Sequence, residues 1–267
     1  MISWPLIKHE LSRTWLLLIV FLLILTMYTT IILSMFDPNL GSVLADLEKA
    51  MPEVMAAFNL KGAGTADLIH YISSYLFGYI LVIFPLIFSL VLANRLIAKY
   101  VSDGSMAYLL ASPNSRWKII RSQILVAVTA LFLLIASIGL VTLIYCHWTF
   151  PGQLKGQKFA YLIIGLLGLH LFINGFSFLI SCCFNDTKYS YSWSIGLVVW
   201  AFLMQMIANQ GEKFANLKYL SFLSLFSPDE LLNGQALAFW LVGLLYLLAF
   251  SSYTLGGFIF AKRNLPL

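Results

Sequence analysis

Thr14-Trp-Leu-Leu-Leu-Ile-Val-Phe-Leu-Leu-Ile-Leu-Thr-Met-Tyr-Thr-Thr-Ile-Ile-Leu-Ser-Met-Phe36 contains no aspartate, glutamate, lysine or arginine. About 20 apolar residues in a helix cross the roughly 30 Å of hydrocarbon in a bilayer. No small-residue cleavage site follows this run, so it reads as a retained anchor and not as a removed leader. Outward from it, five more charge-free stretches follow, at 68–94, 122–154, 159–185, 189–211 and 231–261. Six membrane helices are therefore expected near 15–35, 70–93, 123–146, 160–183, 190–209 and 238–260, in a single all-α membrane domain over 1–267.

Composition agrees. Apolar residues make up 61% of the 267 residues and charged residues 10%, against roughly 45–50% and about 25% in soluble proteins. A soluble fold of this size needs more charge to cover its surface. A soluble enzyme, a disordered chain and a nucleic-acid module are excluded. The three cysteines, Cys146, Cys182 and Cys183, give no disulfide framework and read as small buried apolar residues.

Six spans put both termini on one side. Segments on that side carry ten basic residues against three acids, and segments on the other carry six against eight. The positive-inside rule makes the first side cytoplasmic, so a multi-pass protein of the bacterial cell membrane with both termini inside is expected. Trp15, Tyr71, Trp148, Tyr161, Tyr191, Trp193 and Trp240 fall near span ends, where amphipathic rings favour headgroup level.

Residues 1–13 read as a short interfacial helix, capped by Ser3 with Pro5 in its first turn and with Ile7, Leu11 and Trp15 on one face. A plain extension of the first span is the alternative. The external loop at 36–69 has helical apolar spacing from Val43 to Phe58, interrupted by Pro52, before Gly62, Gly64 and Thr65. In the external loop at 210–237, Ser227-Pro-Asp-Glu230 is a capping box expected to open a short helix ending near Gly234. Leu217, Leu220, Leu223 and Phe226 precede it with amphipathic spacing.

No aspartate, glutamate, lysine or arginine falls inside an expected span, which argues against proton- or sodium-coupled transport. His170 and Asn174, four apart on one helix face, read as interhelical hydrogen-bonding groups, because no carboxylate or nucleophile accompanies them. Gly152-Gln-Leu-Lys-Gly156-Gln-Lys158 lacks the spacing of a phosphate loop. Ser192/Gly196 and Ser252/Gly256 are small-xxx-small pairs that permit close helix contact, within the chain or between chains.

The cytoplasmic loop at 94–122 holds five of the ten internal basic residues. Asp103-Gly-Ser105 breaks the chain, Met106, Leu109 and Leu110 form a short apolar face, and Ser112-Pro-Asn114 ends it. A topology anchor needs no such helix, and the pattern suits docking of a cytoplasmic partner.

Leu96-Ile-Ala-Lys-Tyr-Val-Ser-Asp-Gly-Ser-Met-Ala-Tyr-Leu-Leu-Ala-Ser-Pro-Asn-Ser-Arg116 resembles the signature of type-2 ABC exporter permeases. The matching positions are Gly104, Ser105, Leu109, Leu110, Pro113, Ser115 and Arg116. Where the family has a glutamate a turn before the glycine, this chain has Tyr100, with Asp103 beside the glycine. Phe226-Ser-Pro228 and Phe260-Ala-Lys-Arg-Asn-Leu-Pro-Leu267 are similar to the family's last external loop and C-terminal end. The resemblance covers the whole length. It implies a permease that pairs with a second permease, like or unlike itself, and with two ATPase subunits that carry the ATP and Mg, leaving this chain without a cofactor or catalytic residue. Gly104, Ser105, Met106, Leu109, Leu110, Pro113 and Arg116 are the expected ATPase contacts. The wording of the loop is closest to Gram-positive exporters of antimicrobial peptides, toxins and drugs, so an amphipathic substrate is expected. A non-transporting scaffold or sensor subunit is the alternative function.

Overall fold

The structure is a computed structural model and describes residues 2–37, 49–52, 54, 67–112, 114–210 and 212–263. Gly62, Gly64, Thr65, Pro113 and most of the amphipathic run from Val43 to Phe58 lie outside the described residues.

The six expected spans are all present as helices long and apolar enough to cross a membrane. They are α1 (Trp4–Ser34); a second span composed of α2 (Leu68–Ile72), a π-helical segment (Ser73–Ile80), α3 (Leu81–Leu96) and α4 (Ala98–Ser102); α6 (Arg116–Thr149); α7 (Gly156–Cys183); α8 (Thr187–Ala208); and α10 (Ala236–Lys262). Between them lie α5 (Met106–Ala111) in the loop expected to be cytoplasmic and α9 (Pro228–Leu232) in the last loop expected to be external.

Helix α7 is the centre of the bundle. It packs on α10, α3, α8 and α6, while α1 packs on α6 and α3. Close approach depends on missing side chains. A Cβ at Gly175 would lie 3.1 Å from the Ala249 carbonyl oxygen, and one at Gly256 would lie 3.1 Å from the Leu179 Cα. In lipid, where no hydrophobic effect drives helices together, such small contacts let van der Waals packing do so.

Proline explains the role of His170. Pro85 stands inside α3 and has no N–H to give to the Leu81 carbonyl four residues earlier. In a bilayer that carbonyl needs another donor. His170 Nε2 supplies one from α7, at 2.8 Å. One turn further on, Asn174 Nδ2 donates to the Ser89 carbonyl at 2.8 Å, and the Tyr253 hydroxyl of α10 donates to Asn174 Oδ1 at 2.6 Å. The interhelical reading of this pair is correct, and it ties three spans together.

Four expectations change. Residues 4–13 are the first turns of one unbroken α1 and not a separate interfacial helix. Their buried face is Ile7, Glu10 and Thr14, while Trp15 is exposed; the helix is rotated by about one residue from the face inferred for it. Tyr71 is buried and donates its hydroxyl to the Ile32 carbonyl at 2.9 Å, so it is a packing residue and not an interfacial one. The run from Leu217 to Phe226 forms 3-10 turns, and α9 starts at Pro228 as expected but without a side-chain cap from Ser227. Cys146 and Cys182 are buried, but Cys183 is exposed on the bundle's outer face.

Candidate functional site

The loop between the second and third spans is a chain of short elements joined by turns that its residues dictate. Helix α3 stops at Leu96, because Ile97 takes φ −126° and ψ −66°. After α4, the Asp103 carboxylate accepts from the Ser105 amide at 3.0 Å and from the Ser105 hydroxyl. These two bonds, the hydroxyl's first, hold the Asp103 carboxyl below its ordinary value. Gly104 takes φ +73°, a left-handed conformation that disfavours any side chain. Helix α5 then runs for six residues. It ends where Ser112 turns extended at ψ 159°, as the residue before a proline must. Ser115 caps α6 by accepting from the Lys118 amide at 3.3 Å.

Met106 is fully buried in the chain's own core, so it is not available to a partner as expected. It anchors α5 to the bundle. Leu109 and Leu110 are half-buried, and Tyr108 is 82% exposed, with Ala111 exposed beside it. The face that α5 offers outward is therefore aromatic and lies about one position away from the apolar face read in the sequence. Arg116 is half-buried and turns back onto the chain. Its Nη1 donates to the Arg263 carbonyl at 2.6 Å. Arg263 in turn donates to the Cys182 carbonyl at 2.8 Å and to Asn185 Oδ1 at 2.5 Å. The starts of α6 and α8 and the ends of α7 and α10 are thus clasped together.

Two buried polar clusters support the loop. In the first, Glu10 of α1 is 1% exposed. The Tyr100 hydroxyl of α4 donates to it, and Gln123 Nε2 of α6 donates to it at 3.4 Å. Arg13 lies over the Tyr100 ring at 5.8 Å and donates to its hydroxyl at 3.3 Å. Tyr100 occupies the position where the resembled family has a glutamate, and here the carboxylate reaches that point from α1. In the second cluster, Asn94 Oδ1 of α3 accepts from the Ser181 hydroxyl of α7 at 3.3 Å and from the Ser190 hydroxyl of α8. Glu10 was missed in the sequence. The signal was there: an acid on the helical face shared by Ile7 and Thr14 has to be buried with them.

Among the described residues no cluster of histidine, cysteine and carboxylates could hold a metal ion. The described residues thus form six spans, a short helix with an exposed tyrosine between the second and third, and a polar brace behind that helix. A family profile described as ABC-2 family transporter protein matches residues 4–262, and the chain belongs to that family. No curated protein matches the chain.

Proposed function

We propose that this chain is the permease of an ATP-driven exporter, with its termini and the 94–122 loop in the cytoplasm. ATP hydrolysis belongs to a separate ATPase subunit, which docks on α5 and drives a pair of permeases. The transported molecule is amphipathic or hydrophobic and leaves the cell or the inner leaflet; antimicrobial peptides, peptide toxins and lipophilic drugs are the classes that fit.

The observation that carries this reading is α5. Tyr108 is exposed on a helix whose other side is fixed to the bundle by Met106, so a push on its outer face moves the second and third spans. Tyr108 with the half-exposed Leu109 and Leu110 beside it forms an apolar patch beyond the spans, the kind of surface that suits a partner. Gly104, Ser105, Leu109, Leu110 and Pro113 remain in the proposed docking region, with Tyr108 added and Met106 and Arg116 acting from behind. Burial of one such side chain contributes about 1.5–3 kcal/mol, a ten- to hundredfold change in affinity.

The test is pull-down of the ATPase together with transport by the reconstituted complex. Tyr108→Asp and Leu109→Asp should release the ATPase and stop export while the chain still inserts in the membrane. Full ATPase binding and export by both variants would reduce the loop to a topological anchor. Normal ATPase binding and ATP turnover by the wild-type complex, with no candidate substrate moved, would favour the sensor-subunit reading instead. Impermeant labelling of cysteines placed at Ser102 and at Gly62, in a background without the native three, should come from opposite sides.

A further inference from the structure

Arg121 in the second turn of α6 and Lys262 at the end of α10 are joined by a row of rings. The Arg121 guanidinium lies 5.7 Å from the Trp117 ring centroid. Trp117 meets Phe258 with centroids 6.4 Å apart. The Lys262 amine stands 4.2 Å from the Phe258 centroid. Gly257 makes room for this row: a Cβ there would touch the Trp117 ring at 3.6 Å and Ile120 at 3.8 Å. Trp117 and Phe258 are 42% and 48% exposed, and both cations are exposed. Among the described residues neither Arg121 nor Lys262 forms an ion pair.

Apolar grooves run along α6 and along α10 near this row. Beside Arg121, a groove of about 400 Å³ is lined by Ile2, Ile124, Leu125 and Val128. Along α10, one of about 470 Å³ runs between α7, α8 and α10, lined by Phe176, Leu179, Cys183, Trp193, Leu255 and Ile259; Ile259 stands about one helical turn before Lys262. The second groove has no polar lining. An acidic protein surface would satisfy the cations and leave these grooves empty. A molecule with an anionic head and a hydrocarbon tail satisfies both halves.

We propose that this edge of the α6–α10 contact binds anionic phospholipid, with a lipid phosphate at Arg121 and another at Lys262, and with acyl chains in the nearby grooves. The rings hold each cation at headgroup level, where a phosphate oxygen accepts its charge-assisted hydrogen bonds. The assignment of this edge to the inner leaflet rests on the orientation proposed above. Lipid binding itself does not, so the two can fail separately.

The experiment is native mass spectrometry of the chain purified in detergent with its co-purifying ATPase, titrated with phosphatidylglycerol or chain-matched phosphatidylcholine. Wild type should retain phosphatidylglycerol at roughly tenfold lower concentration than phosphatidylcholine, the scale that two surface cations supply. Arg121→Gln/Lys262→Gln should lose that preference. The charge-keeping swap Arg121→Lys/Lys262→Arg should keep it, as should Lys99→Gln/Lys188→Gln, which removes two cations of the same side. Equal retention of both lipids by wild type overturns the proposal. So does an equal loss in the Lys99/Lys188 variant, which would mean that total charge and not this row attracts the lipid. Release of the ATPase by Arg121→Gln/Lys262→Gln with the lipid preference intact would make the row a protein contact, and also overturns it.

Discussion

Ser252/Gly256 on α10 and Ser192/Gly196 on α8 have the same spacing and opposite fates. Ser252 is 7% exposed and Gly256 is buried, with the backbone of α7 so near that a Cβ would stand 3.1 Å from the Leu179 Cα. Ser192 and Gly196 face outward, and a Cβ at Gly196 would meet nothing within 4 Å. The same contrast holds for whole helices. In their most apolar windows, 61% of residues are buried in α7 and in the second span, but only 17% in α1 and α8. A small-residue pair licenses close approach; which helix accepts the offer is decided by the rest of the bundle. The pair on α10 is used within the chain, and the pair on α8 is left for lipid or for another subunit.

The largest expected effect breaks the inner pair. Gly256→Leu forces a branched side chain against backbone that cannot yield, and overpacking of this kind costs about 3 kcal/mol. Thermal unfolding in detergent should show a clear loss. Gly196→Leu, at the same point of the outer pair, should leave the unfolding temperature of the isolated chain unchanged. If both variants lose stability alike, the difference between the two pairs is not real. A loss of assembly with a second permease in Gly196→Leu, at unchanged chain stability, would sharpen the contrast by naming the occupant of the outer face.

Next in size is the bond that stands in for the one Pro85 cannot make. His170→Ala leaves the Leu81 carbonyl without its α7 donor, which costs about 1–3 kcal/mol for a buried polar group. In a Pro85→Ala background the helix regains its own N–H, so the same substitution should cost less. A double-mutant cycle on unfolding temperature measures the coupling. Equal losses in both backgrounds would mean that His170 acts by packing alone.

The spans were legible because lipid imposes one requirement on each of them, a long run without charge, and that requirement is visible residue by residue. Their lateral arrangement was not. Hydrophobic periodicity is weak where both faces of a helix are apolar, so the buried face of α1 was placed one residue away from Ile7, Glu10 and Thr14. The loop at 94–122 was readable in its turns, because Asp103, Gly104 and Ser112 act on their own neighbours. It was misread at Met106, whose burial depends on tertiary packing that no local pattern encodes. Arg116 likewise found a carbonyl 147 residues away, a contact fixed only by the fold.

The smallest expected effect lies at the start of the second span, in a contact that water reaches. Asp67 Oδ2 lies 3.4 Å from the Lys155 amine and 3.3 Å from His70 Nδ1. Partial burial pulls its carboxyl up, but the Lys155 amine and then His70 outweigh this, and the net displacement is below the ordinary value of 3.8. A carboxyl so lowered favours the folded state above its unfolded pKa, and that contribution is lost as pH falls through the folded value. The side chains of Asp67 and Lys155 are 37% and 59% exposed, so solvent screens the pair to about 0–1 kcal/mol. Asp67→Asn should therefore lower the unfolding temperature slightly at neutral pH, and the gap from wild type should close on the acid side of pH 3.8. High salt should shrink the same gap, since exposed charges are screened within about 10 Å at 0.1 M. Salt should leave the loss in Gly256→Leu untouched, because that contact is between apolar atoms out of reach of ions. A gap in Asp67→Asn that persists in acid and in salt would place this residue with the buried contacts of α7 and not with the outer ones.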